Sequence, residues 1–186
     1  MASVVAPGMV GCSFTPGLLQ RLICYFTNSQ WSHSFLITTP IAGVASVQEA
    51  AGQGVQIVPF ENHYVIAPGF FQLYDISREY ATEEDIRKSL AQCHTIYSGD
   101  KYGTLQILWF PYRAFMERIF KKDVRHQKNW LSNGVICSEL LYHFLSGLGP
   151  VFAEMLSPFN PDTIQSEDLY QIFQAHPEVF VALPRA

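Results

Sequence analysis

The chain of 186 residues is 48% hydrophobic and only 15% charged, a composition that fills a core and argues against disorder. Its formal net charge is −4, with no long basic run, which speaks against nucleic-acid binding. The length suits one domain over residues 1–186, with a sizeable core.

The N-terminal stretch "MASVVAPGMVGC" lacks a positive leader and is broken by Pro7 and Gly8. The expectation is no signal peptide and a cytoplasmic location, with delivery by a phage or a secretion system as the alternative. No apolar run approaches the roughly 20 residues of a membrane span. The spacing then predicts a first helix. Thr15 serves as its cap, Pro16 suits its first turn, and Leu18, Leu19, Leu22, Ile23 and Phe26 form its apolar stripe. The period changes at "SHSFLIT" and "GVASVQEA", which read as two strands around a turn near Pro40 to Gly43. "GVQIVPF" and "GFFQLYDI" read as a third and a fourth strand.

A second helix starts at Thr82, with Glu83, Glu84 and Asp85 opposing the positive end of its dipole. Ile86, Leu90 and Cys93 fall on one of its faces. The aromatic segment "YGTLQILWFPYRAFMERIFKK" reads as interrupted at Pro111 and helical again to Lys122, packed on the sheet by its amphipathic stripe, with an acyl-chain pocket or a partner surface as the alternative. "DVRHQKNWLSNG" reads as a loop ending in an Asn-Gly turn. A helix follows Cys137, carries Leu140, Leu141, Phe144 and Leu145, and stops at Gly147. A short helix near Ser166 and a terminal strand in "EVFVAL" complete the set. The pattern is α+β, a small antiparallel sheet with helices packed on it.

Four cysteines are present, at positions 12, 24, 93 and 137, without the close pairing of a zinc site. Cys137 stands apart because it opens a helix. There the unpaired amides and the dipole favour thiolate over thiol, and the same amides suit a developing oxyanion. Cys12, Cys24 and Cys93 read as structural. A cysteine nucleophile needs a base, and of six histidines His33 opens a strand beside small serines, in "WSHSFLI". His33 and Glu49 are each eight residues from Ile41. A turn centred there puts them opposite each other, with Cβ atoms roughly 5 Å apart. A register shift of two leaves them diagonal neighbours, and a shift of one separates them onto two faces. Glu49 would then fix the tautomer of His33 toward Cys137.

"FTNSQWSHSFLI", "VQEAAGQGVQIVPF", "DKYGTLQIL" and "VICSELLYHFLSGLG" together resemble the circularly permuted branch of the NlpC-type papain-like cysteine hydrolases. This is the YiiX/YaeF-like group, related to lecithin–retinol acyltransferase. The resemblance spans Pro7 to Asp168 and is most specific at "WSH" and "CSEL". The order His, Glu, Cys matches the permuted form. It implies a small antiparallel sheet or half-barrel with packed helices. It implies Cys137 as nucleophile, His33 as base, Glu49 as the orienting group and Tyr102 of "KYG" as a substrate-binding residue, with no metal and no cofactor. The implied activity is cleavage of an amide bond, peptide or isopeptide, with a lipid ester or thioester hydrolase or an acyltransferase as the alternative. The implied partner is a peptide- or acyl-containing substrate, from cell-wall peptide or lipid. A binding module that keeps the fold without turnover is the second class. The chain departs from the family pattern after "WSH", where Phe35 stands beside the base.

Overall fold

Val10–Phe14 (β1) lies mid-sheet, antiparallel to His33–Ile41 (β2) on one side and to Phe70–Ile76 (β5) on the other. Sequence periodicity gives this strand no signal. Val10, Gly11, Cys12 and Ser13 are all buried, so the apolar-polar alternation of a half-exposed strand is missing. The computed structural model describes residues 5–66, 69–131 and 133–184; residues 1–4, at the head of the stretch without a leader pattern, lie outside them. Val44–Ala51 (β3), Gly54–Pro59 (β4) and Phe180–Ala182 (β6) complete the open antiparallel sheet, in the order β4-β3-β2-β1-β5-β6. The helices are Leu18–Thr27 (α1), Glu83–Tyr97 (α2), Trp109–Ile119 (α3), Cys137–Ser146 (α4), Pro150–Leu156 (α5) and Ser166–Ala175 (α6). The α+β class expected from the sequence is the class observed.

The β2–β3 hairpin turns at Ala42 and Gly43, with φ of 52° and 80°. Positive φ at both residues is the type I′ geometry that matches strand twist. β2 holds one extra residue between Thr38 and Ile41, and Pro40 sits in that bulge, where a missing N–H costs little. The turn therefore lies beyond Ile41. Leu36 pairs with Gln48 and Ile37 with Val47, which puts Glu49 level with Phe35 rather than with His33. This corrects the expected register by two residues. Glu49 and His33 remain on one face, as diagonal neighbours.

The two sheet faces bury different groups. Val10, Cys12, Leu36, Ala50 and Tyr74 face the helices and pack with Ile86, Leu90, Leu140, Phe144 and Phe173. Met9, Phe35, Ile37, Val47 and Leu73 form the other face, covered by Phe60 and by Tyr64 from a π-helical turn at Glu61–Val65. Phe35 is thus core. Its ring lies directly over Gly11 of β1, in the space a Cβ would occupy.

α2 begins as expected, with Thr82 and Asp85 capping each other's backbone amides. α1 does not. Gly17, not Thr15, is its N-cap, and no side chain caps it. Its stripe also divides: Ile23 and Phe26 pack with Phe110 and Ile136, whereas Leu18 is 78% exposed and Leu22 45%. Pro111 does not interrupt the aromatic segment. A 3-10 turn at Leu105–Leu108 runs straight into α3, so Pro111 falls in the first turn, where its missing N–H has no helical partner to lose. α3 ends at Ile119, before Lys122. α5, which opens on Pro150, was not among the expected helices. Among the described residues no helix is long and apolar enough to cross a membrane.

Arg113 of α3 makes a two-pronged ion pair with Asp168 of α6, at 2.6 and 2.8 Å, and both side chains are buried. Asp168 also accepts from the Gln165 amide at 2.9 Å, which caps α6. Asp168→Ala takes the two-pronged partner from a buried guanidinium, leaving it only Glu117 and the Thr163 carbonyl, and should cost about 3 kcal/mol, read as a lower thermal midpoint. The double variant Arg113→Met, Asp168→Leu should recover most of that loss.

Candidate active site

Cys137 is the first residue of α4, and the segment before it is fixed by backbone pairing. Val135 bridges Tyr102 in parallel, its amide donating to Lys101 at 2.9 Å and its carbonyl accepting from Gly103 at 3.1 Å. Gly134 lets these backbones meet, since a Cβ there would strike the Lys101 carbonyl. Leu140, Leu141 and Phe144 anchor α4 to the core. Glu139 accepts from the Ile136 amide at 3.4 Å and from Gln106 at 3.0 Å.

His33 opens β2. Its Nε2 donates to Glu49 Oε2 at 2.9 Å, which leaves Nδ1 for the sulfur of Cys137. Glu49 is nearly fully buried and is held by two further donors. Gln56 Nε2 reaches its Oε1 at 3.1 Å, and the Tyr64 hydroxyl donates to Oε2. The Phe35 and Tyr64 rings lie 4.1 Å apart between centroids, so Phe35 supports Tyr64. The structure thus brings Cys137, His33 and Glu49 together. Tyr102 lines the same cleft, and its hydroxyl has no hydrogen-bond partner among the described residues.

Burial alone would raise the Cys137 thiol. The His33 imidazolium outweighs it, with help from the Ser34 amide and the Ser166 hydroxyl, and the thiol falls to about 7. Burial works against a charged His33, but the Cys137 sulfur and the Glu49 carboxylate hold it up at about 10. Burial would likewise raise Glu49, yet bonds and charge from His33, then Tyr64 and Gln56, bring it down to about 2. Burial keeps the Tyr102 hydroxyl protonated, reinforced by the charges of Cys137 and Glu49. The other three thiols go the opposite way. Burial pushes Cys12 well up, Cys93 to about 12, and Cys24 upward as well.

A cleft of about 550 Å³ opens on His33 and Glu49. Leu19, Gln20 and Ile23 of α1 form one wall; Ala50, Ala51, His63 and Tyr64 form another. Cys137 sits in a narrower crevice behind it, with Trp31, Ile136 and Ser166, and the two spaces share Ile23, Ser32 and Tyr102. The Ser166 hydroxyl is 3.9 Å from the sulfur. Gln56, Tyr64, Ser34 and Ser166 were not singled out from the sequence. For Gln56 a signal exists, because the Gly52–Gln53 turn pairs it with Glu49 across β3 and β4.

The chain thus sets a cysteine at a helix start beside a strand histidine, on an open antiparallel sheet with helices packed on it. Among solved structures the chain is similar to the crystal structure of metalloprotein yiiX from Escherichia coli O157:H7, described as DUF1105. The TM-score is 0.54 and the identity 14%, over 97% of each chain, so the likeness is one of fold. No protein-family model matches the chain, and no curated protein matches it in sequence. The metal named for yiiX is that protein's. Among the described residues here, no group of three or more His, Cys, Asp or Glu side chains is placed to hold a metal ion.

Two measurements check these electrostatics. Iodoacetamide labelling of Cys137 should rise through an inflection near pH 7, not the ordinary 9.0. His33→Ala should move that inflection above 9.0, because only burial then acts strongly on the thiol. Burial also raises Glu139 from 4.5 to about 7. A carboxyl raised on folding holds extra protons in the native state, so stability falls as pH rises from about 5 through 7. Glu139→Gln should flatten that slope and raise stability at pH 8 by about 2–3 kcal/mol, seen in denaturant midpoints.

Proposed function

We propose that the protein is a cysteine hydrolase of the circularly permuted, NlpC-type papain-like kind, cleaving an amide bond through an acyl-enzyme on Cys137. The observation that supports this most is the fate of its four thiols. Only Cys137 is drawn below its ordinary value, and it lies beside an imidazole whose far nitrogen is bonded to a buried carboxylate.

Between about pH 7 and 10 the resting pair is thiolate and imidazolium. The thiolate attacks the carbonyl carbon, forming a C–S bond and placing negative charge on the oxygen. The Cys137 backbone amide, at the first position of α4, donates to that oxygen, with the Tyr102 hydroxyl as the second donor. The tetrahedral species collapses with cleavage of the C–N bond, and His33 gives its proton to the departing amine. His33, now neutral, takes a proton from water as the water attacks the thioester. Collapse breaks the C–S bond, releases the acid and restores the ion pair. Glu49 keeps the ring oriented and stabilises its charged form throughout.

A second reading, hydrolysis or transfer of a lipid ester or thioester, draws on one observation. Much of the cleft wall is apolar or aromatic, through Leu19, Ile23, Ala50, Tyr64 and Tyr102. Peptidoglycan fragments, acyl esters and acyl thioesters should be tested side by side. The substrate that turns over should give a covalent adduct on Cys137 by mass spectrometry. Cys137→Ser should lower kcat by at least about 10³-fold, as losses of a nucleophile do. Full turnover by Cys137→Ser would end the proposal. Ligand binding without turnover on any substrate would favour a binding module.

A further inference from the structure

We infer that the outer face of α1 and α3 docks on an anionic lipid bilayer. Leu18, Leu22 and Tyr25 recur at i, i+4 and i+7 on α1, and all three are exposed. Phe115, Ile119 and Phe120, at the C-terminal end of α3, are each more than half exposed. The two helices pack together through Ile23, Phe26 and Phe110, and the Arg118 guanidinium donates to the Tyr25 carbonyl at 3.4 Å. Arg118 thus links the outward side of α3 to that of α1. An exposed apolar surface shared by two packed helices marks an interaction site rather than scattered surface residues.

Its rim carries the charge that selects the partner. Apart from the buried Arg113, residues 105–128 hold five Lys and Arg against two Asp and Glu, in a chain whose net charge is −4. Both acids are already matched, Glu117 by Arg113 at 2.8 Å and Asp123 by Arg125 at 2.7 Å. Arg21 on α1 and Arg118, Lys121 and Lys122 at the end of α3 make no ion pair among the described residues. Arg118, Lys121 and Lys122 also line a polar cleft of about 470 Å³, in which Glu167 is the acid without a cationic partner. An apolar face with a cationic border suits a surface that is hydrocarbon inside and anionic at its headgroups. A second copy of the chain suits it less, since a two-fold contact would set cation against cation.

Docking of this kind does not depend on the hydrolase reading. It does bear on it, because Leu19 and Ile23 of the same helix line the cleft and would sit beside the bilayer. The test is sedimentation of the full chain with vesicles of phosphatidylcholine alone and of phosphatidylcholine with phosphatidylserine. The protein should partition onto the serine-lipid vesicles, less so as salt rises. Lys121→Ala with Lys122→Ala should weaken that partition roughly thirtyfold, at about 1 kcal/mol per cation. Leu22→Asp with Phe115→Asp should abolish it, with thermal midpoints confirming that both variants stay folded. Cys137→Ala should bind as wild type does, which separates this inference from the catalytic proposal. No binding to either vesicle would overturn it. So would equal binding to both that ignores the lysines, or a dimer in gel filtration that Leu22→Asp dissolves.

Discussion

A carboxylate that is buried yet charged must be met by donors on its oxygens, and Glu49 is such a group. Its three partners come from three places: His33 from the start of β2, Gln56 from β4, and Tyr64 from the π-helical turn. The charge therefore fixes how two hairpin strands and one irregular turn sit against β3. The bulge at Pro40 belongs to the same requirement. It sets the register in which Glu49 lies diagonal to His33 on the shared face, close enough for a 2.9 Å bond. A partner missing from this set leaves a buried charge exposed to its own desolvation cost, so the set forms as a unit.

The same reasoning explains why one thiol differs from the rest. Burial acts on all four and always disfavours the charged form. Cys137 alone stands next to a cation that is itself stabilised by an anion, so its sign reverses. The chain of influence runs Tyr64 and Gln56 to Glu49, Glu49 to His33, His33 to Cys137. α4 packs on one face of the sheet, whereas His33 belongs with Phe35 and Glu49 on the other. Ser34 and Leu36 point toward α4, whereas Phe35 faces away from it. The sulfur and the ring can meet because both residues are the first of their elements, at one end of the sheet.

Much of this was legible from residue spacing, and the exceptions have physical reasons. α2 and α4 announce themselves by caps and period, and Cys137 by its place at a helix start. The hairpin arithmetic joined His33 to Glu49 on one face although its turn was misplaced, because an error of two residues preserves side-chain parity. β1 left no trace, since a strand covered on both faces loses its alternation. α1 misled for the opposite reason. Its leucines have helical spacing, but period reports which residues share a face and not whether anything covers that face. Tyr64 had no readable signal, because its contact with Glu49 passes through an irregular turn whose geometry no period encodes. Gln56 was readable by the same arithmetic that found Glu49, applied one hairpin further along.

Gly11 lies on the middle strand of the sheet and touches no titrating group. The ring of Phe35 nonetheless occupies the place where its side chain would be, Phe35 stacks on Tyr64, and Tyr64 holds Glu49. A methyl group at position 11 would displace that stack and with it the hydroxyl that keeps the carboxylate charged. Drift in this chain is therefore constrained at a position that carries no chemistry, and the absence of an atom there is as much a component of the site as any donor in it.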